Sequence, residues 1–303
     1  MQQIGFIGLG AIGSGMAKSL VEAGFAVTGC DRRAEAVDAL VAIGGKAGAN
    51  PAEAAKGAAL LFVVVVNDAQ VDDVLFGADG ALETLASGGT VVMCATVPAA
   101  FVRDLGARLA ERGIHLLDAP TSGGAVAAAS GQTTIMASGS KEAFAAAQPA
   151  LDACTKQVHK LGDAPGIGST VKAVNQLMAG VNLVTAAEGM AFGVAQGADP
   201  KVLYDVIKDA AGGSWMFGNR VPHMLDDDYT PKSAVDIWVK DLALVLDTAK
   251  SLRMPLPMAA AALQVVMMAA ARGYGPIDDA AFVKVYEEFT GRKVVPNDRT
   301  PDE

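Results

Sequence analysis

The hydrophobic positions of this chain follow two successive rules. In the first half, short β-branched runs predict strands at Ile4–Ile7, Ala26–Cys30, Leu60–Val66, Thr90–Cys94, His115–Asp118, Thr133–Ala137 and Gln157–Leu161. Phe62-Val63-Val64-Val65-Val66 is apolar without a break, the pattern of a parallel strand covered on both faces. Segments of helical spacing lie between the strands, among them Ala11–Ala23, Pro98–Arg112 and Lys141–Ala153. Strand–helix alternation of this kind predicts an α/β domain built on a doubly wound sheet.

After Gly162 the strand signal stops. Asp163-Ala164-Pro165-Gly166-Ile167-Gly168 reads as a punctuated link. Helical stretches follow at Ser169–Gln196, Pro200–Ala211, Ala234–Leu252, Pro257–Arg272 and Asp278–Phe289. The expected division is an α/β domain over 1–163, an all-α domain over 164–292 and a loose polar tail over 293–303. Small residues along the first long helix, such as Ala179, Gly180, Ala186 and Ala187, allow close helix approach. A helix without a wide polar face also suggests burial against a second subunit, as in a homodimer or homotetramer.

Composition narrows the function. The chain has 303 residues, 51% of them hydrophobic, with a net charge of −9 and only 5% aromatic residues. Such a surface repels phosphate backbones and offers few stacking platforms, so nucleic acid is not an expected partner. Three cysteines without a CxxC pair suit free thiols in a reducing cytoplasm, and three scattered histidines give no metal-ligand spacing. Residues 254–271 are uncharged and long enough to resemble a membrane span. Pro255, Pro257, Gln264 and many alanines favour a buried helix instead, so no membrane is expected.

Three places could carry chemistry. Gly8-Leu9-Gly10-Ala11-Ile12-Gly13 follows the first strand and opens a helix, and Asp31 ends the second strand, about the ~20 residues further on that a Rossmann dinucleotide fingerprint needs. The glycines permit the turn and close approach to a pyrophosphate, while the helix N-terminus supplies amide donors. Asp31 favours NAD, because a carboxylate accepts from a ribose 2′-hydroxyl and repels a 2′-phosphate; Arg32 and Arg33 pull toward NADP. Second, Asp118-Ala119-Pro120-Thr121-Ser122-Gly123-Gly124 ends a strand and offers a hydroxyl and exposed amides to a carboxylate; a proline-shaped turn fits equally well. Third, Lys172 stands near the start of the long helix among uncharged neighbours, with Asn175 and Gln176 following. An amine against an apolar cleft is suited to proton transfer, although a lone helix lysine is more often a surface charge.

Taken together these motifs resemble the β-hydroxyacid dehydrogenases. Gly8–Gly13, Asp118–Gly124 with Gly131 and Thr134-Ile135-Met136, Gly168–Gln176 and Lys240-Asp241-Leu242 occur in that family's order, and the likeness runs from Ile4 to about Phe289. The resemblance implies NAD-linked oxidation of a small hydroxy acid. Lys172 would be the acid/base, Ser122, Gly123 and Gly124 would hold the substrate carboxylate, and Asn175 and Gln176 would sit beside the substrate. Asn67, Thr96 and Lys240 would join Gly8–Gly13, Asp31 and Arg32 around the cofactor. Gly213–Phe217 and Asp228–Ile237 resemble a branch acting on the four-carbon acid L-threonate. The alternatives are 3-hydroxyisobutyrate oxidation, tartronate semialdehyde reduction and, more remotely, non-catalytic dinucleotide binding. Two departures stand out: Ala95-Thr96-Val97 replaces a usual Ser-Thr-Ile, and Ala127 replaces a usual glycine.

Overall fold

The computed structural model describes residues 2–296. Among them nine strands join one sheet: β1 Gln3–Ile7, β2 Ala26–Cys30, β3 Lys46–Ala47, β4 Leu60–Val63, β5 Thr90–Met93, β6 His115–Asp118, β7 Thr121–Ser122, β8 Thr133–Gly139 and β9 Thr155–Lys160. The order is β3-β2-β1-β4-β5-β6-β8-β7, with β9 also on β8. The ladders from β3 to β6 are parallel, and β6–β8 and β7–β8 are antiparallel. The strand order reverses between β1 and β4, which places a ligand crevice at the carboxyl ends of those two strands.

Alternation along the central strands explains the two covered faces. Ile4, Phe6, Leu60, Phe62, Val92 and Leu117 enter one core, and Ile7, Leu61, Val63, Val91, Met93 and Leu116 enter the other. Phe6 stacks on Phe62 with ring centroids 5.5 Å apart. Each of these rings is fully buried and contributes roughly 1.5–3 kcal/mol by burial.

The β4 strand is shorter than its apolar run predicts. Val64 still donates to the Ile7 carbonyl at 2.8 Å, and then the chain leaves the ladder. Val64 packs on the first core and Val65 on the second, so side-chain burial outlasts the hydrogen bonding.

From Ala173 onward the chain forms a second compact unit. Its core includes Leu183, Ala187, Met190, Val221, Met224, Leu242, Val266 and Phe282, drawn from the helices Ile167–Ala195, Trp215–Leu225, Val235–Ser251, Pro257–Ala269 and Phe282–Thr290. Gly180 lets Trp238 lie against the long helix, since a Cβ there would sit 3.1 Å from the indole. Within this core, buried Asp279 accepts from Arg220 Nε at 2.5 Å and from Trp238 Nε1 at 2.7 Å. Two donors answer a carboxylate that water cannot reach.

Three features differ from the pattern-based reading. The division between units falls at Lys172/Ala173, inside the Ile167–Ala195 helix rather than at the 163/164 link, because the first turn of that helix is bonded to the end of β6. The 254–271 stretch is not one buried rod. Its helix ends at Ala269 and passes into a wider turn with Gly273 at φ +85°, burying Ala259, Ala262 and Val266 while Met258, Met267 and Met268 stay exposed. Among the described residues, the helix long and apolar enough to cross a membrane by composition is instead Ile167–Ala195, which contributes Leu183, Ala187 and Met190 to the core of the second unit. The expected tail begins too early: Val294 is fully buried and donates to Glu287 at 2.7 Å, while residues 297–303 lie outside the described residues.

Candidate active site

The glycine turn follows directly from β1. Gly8 adopts φ +93° and donates to the Cys30 carbonyl at 2.9 Å, and a Cβ there would stand 2.3 Å from the Val64 carbonyl oxygen. At Gly13 a Cβ would stand 1.9 Å from the Gly8 oxygen, so the helix can start beside the turn only with glycine. Gly10 differs: a Cβ there would meet nothing within 4 Å. Its backbone therefore faces open space. The Gly13–Glu22 helix has no side-chain cap at Ile12 and no acid in its first turn, which leaves its amides and partial positive charge for a phosphate. Leu9 and Ile12 pack on or within the adjoining core, and Ala11 is exposed. This arrangement fits a dinucleotide.

Asp31, next to the turn, is already engaged. Oδ2 accepts from Leu9 N at 2.7 Å and Arg33 Nη2 at 3.3 Å, and Oδ1 accepts from Arg33 N at 2.9 Å and Arg33 Nε at 3.1 Å. Burial pushes its carboxyl up, but the bonds from Arg33 and Leu9 outweigh it and hold the group below the ordinary carboxylate range. Both arginines are exposed, but Arg33 also donates to the Leu9 carbonyl at 3.0 Å. The two arginines, equivalent in sequence, are thus separated by structure.

Ser122 ends the two-residue strand β7, and Gly123, at φ +121°, turns the chain into the short helix Gly124–Ala129. That helix packs on the glycine-rich one: a Cβ on Gly15 would stand 2.4 Å from Ala128. Gly15 therefore couples the candidate substrate turn to the dinucleotide turn, a role visible in sequence only as one more glycine after Gly13. A Cβ on Gly123 would stand 2.6 Å from the Ala127 side chain, which together with the positive φ requires glycine at position 123. Thr96 is half-buried in the loop after β5. Asn67 caps the Asp68–Phe76 helix, accepting from Gln70 N at 2.9 Å, and so has a local task whatever else it touches.

Lys172 is only 8% exposed, and its chain neighbours Val171, Ala173 and Val174 carry no charge. Asn175 lies one turn further along and donates to the Gln176 side chain at 3.0 Å. Gln176 donates to Asp241 Oδ2 at 2.5 Å, and Lys240 Nζ stands 2.8 Å from Asp241 Oδ1. Asp241, 2% exposed, is thus the hub that joins Gln176 to Lys240. Ser214 caps the Trp215–Leu225 helix by accepting from Phe217 N at 3.0 Å, and Phe217 is buried in the core.

The buried amine is a group that can move a proton, the Ser122–Gly124 turn one that can meet a carboxylate, and the glycine turn one that can hold a dinucleotide. Known proteins agree with that chemistry. Residues 3–162 match the NAD binding domain of 6-phosphogluconate dehydrogenase, and residues 166–286 match the NAD-binding region of NADP-dependent 3-hydroxyisobutyrate dehydrogenase. The chain belongs to the β-hydroxyacid dehydrogenase family and is an NAD-binding oxidoreductase. L-threonate dehydrogenase of Cupriavidus necator is 52% identical to it over 285 residues, 94% of this chain and 96% of that one. L-threonate dehydrogenase of Escherichia coli K12 is 46% identical over 288 residues, 95% of each. A crystal structure described as 3-hydroxyisobutyrate dehydrogenase from Salmonella typhimurium superimposes with a TM-score of 0.87 at 46% identity, covering 94% of this chain and 100% of that one.

The open space at Gly10 yields a test that separates ligand from fold. Gly10→Ala should leave the melting temperature unchanged, because no protein atom is crowded. Overpacking against a bound dinucleotide costs about 1–3 kcal/mol, so Kd for NAD should rise about ten- to a hundredfold in a calorimetric titration.

Proposed function

We propose that the protein oxidises a small hydroxy acid by hydride transfer to NAD, with L-threonate as the substrate. The observation that carries the substrate is the near-full-length identity, 52% and 46%, to two proteins named L-threonate dehydrogenase. The runs Gly213–Phe217 and Asp228–Ile237 point the same way. A second reading, 3-hydroxyisobutyrate, is favoured by the description of the Salmonella structure; reduction of tartronate semialdehyde is the further member of the set.

The assigned roles follow from the chemistry of each group. When bound, NAD supplies the hydride acceptor. Gly8–Gly13 and Asp31 hold its pyrophosphate and ribose, and Arg32, Asn67, Thr96 and Lys240 are assigned to its remaining contacts. Ser122 Oγ and the amides of Gly123 and Gly124 bind the substrate carboxylate. Lys172 takes the carbinol hydroxyl proton on its Nζ as the carbon is oxidised, and returns it in the reverse direction. Asn175 and Gln176 pair with the substrate hydroxyls. Three buried free thiols support a reducing, cytoplasmic setting. The exposed apolar line Ile167, Val171, Val174 and Met178 supports burial against a second copy, in a homodimer or homotetramer.

Steady-state kinetics on L-threonate, 3-hydroxyisobutyrate and glycerate decide the substrate. L-threonate should lead by about ten- to a hundredfold in kcat/KM, because an unpaired buried polar group costs about 1–3 kcal/mol with the methyl-bearing analogue. A tenfold lead for 3-hydroxyisobutyrate or glycerate rejects the substrate and leaves the reaction class standing. Lys172→Ala should lower kcat about 10²-fold or more while Kd for NAD is unchanged; a near-parental rate removes the acid/base assignment. NAD should be preferred over NADP, and Asp31→Ala should narrow the gap by removing the charge that repels a 2′-phosphate. Equal use of NADP by the parent enzyme would show that the arginines outweigh Asp31.

A further inference from the structure

The Lys172 helix does not start freely. Its first turn is fastened to the carboxyl end of β6 by a buried carboxylate. Asp118 is fully buried, and its Oδ2 accepts from Gly166 N at 2.9 Å, Ser169 N at 2.9 Å and Ser138 Oγ at 3.2 Å. Its Oδ1 accepts from Ser169 Oγ at 2.7 Å. Ser138 Oγ in turn accepts from Gly168 N at 3.0 Å, so the exposed-amide end of the helix is answered by one carboxylate and one hydroxyl. The approach is as close as it can be: a Cβ on Gly168 would stand 2.3 Å from the Met136 carbonyl and 3.0 Å from Asp118 Oδ2.

We propose that Asp118 is a positioning residue for Lys172, setting the height and rotation of the lysine-bearing turn against the sheet. Ser169 lies three residues before Lys172, one turn away on the same face, so fixing its amide and hydroxyl fixes where the Lys172 side chain departs. The other side of Asp118 continues through Ala119 and Pro120 to Ser122. One carboxylate therefore sets both the acid/base and the turn assigned to the substrate carboxylate. Burial raises the carboxyl above its ordinary range against the pull of the Ser169, Gly166 and Ser138 bonds, so the group depends on all of its donors. This proposal rests on the acid/base reading of Lys172.

The test is a double-mutant cycle between Asp118→Asn and Lys172→Ala. Asparagine keeps the volume but turns an amide NH₂ toward donors that need an acceptor. In the parent background it should lower kcat about ten- to a hundredfold, the effect of a displacement near 1 Å, with Kd for NAD changed less than about threefold. In the Lys172→Ala background the same substitution should cost less than about twofold more, since a misplaced lysine that is already absent cannot be lost again. Equal losses in both backgrounds, or a lowered melting temperature with parental kcat, overturn the proposal. Should Asp118→Asn not fold, Ser169→Ala takes its place, with an expected kcat loss of about three- to tenfold that also vanishes without Lys172. A parental rate for Lys172→Ala alone is read separately: it ends the acid/base reading, and this proposal with it.

Discussion

Taking a carboxylate out of water costs several kcal/mol unless donors replace the lost hydration. At the end of β6, Asp118 meets two amides and two hydroxyls, and those four donors come from a strand residue, a link residue and the first turn of a helix. The carboxylate and the helix end solve each other's problem, because the amides at a helix start have no partners within the helix. This is why the link after β9 is tied to the end of β6, and why the compact first unit extends to Lys172 instead of stopping at Gly162. A domain boundary inside a continuous helix follows from where the unmet donors are satisfied.

The second constraint is backbone proximity. Gly8 against Val64, Gly13 against Gly8, Gly15 against Ala128 and Gly168 against Met136 each leave no room for a Cβ. In all four, main chain meets main chain at the carboxyl ends of strands or at helix starts. Amides and carbonyls presented this closely can address a charged ligand without side chains in the way. Gly10 obeys the opposite logic, since its missing side chain leaves space open rather than closing a contact.

Much of this was legible in the sequence, for reasons that can be stated. The parallel strands were visible because both of their faces are buried, which leaves an uninterrupted apolar run. The same feature misplaced the end of β4, since Val64 and Val65 keep packing after the ladder stops. Strands β3 and β7 span two residues each and carry no periodicity to detect. Among the candidate residues, Lys172 stood out by lacking charged neighbours, and its burial agrees with that signal. Asp118 and Asp241 did not stand out as hubs, because Gly166 and Ser169 lie 48 and 51 positions from the first and Gln176 lies 65 from the second. Ser214, within the Gly213–Phe217 run, uses its oxygen in a helix-cap bond that the sequence alone does not reveal. The overestimated tail has a similar origin: Lys293 and Val294 open a polar, proline-containing stretch, yet Lys293 donates to Asp227 at 2.9 Å and Val294 to Glu287 at 2.7 Å.

The pairing of Asp31 with Arg33 bears on how a single acid can discriminate between two cofactors. A carboxylate offers about four acceptor sites, and all four are taken, one by Leu9 and three by Arg33. On the proposed reading, a ribose hydroxyl would displace part of the Arg33 fork to reach Asp31. Arg33 is the exposed member of the pair, 53% against 12% for Asp31, so its side chain has solvent to move into. The Leu9 bond, at 2.7 Å and from the backbone of the glycine turn, persists and keeps the carboxylate aimed. The displaced guanidinium remains within reach of the same ribose, where a 2′-phosphate would meet one fixed negative charge and one movable positive charge. On that reading, selectivity for NAD would depend on the fixed charge being the nearer of the two, and the Leu9 amide is the group that holds it.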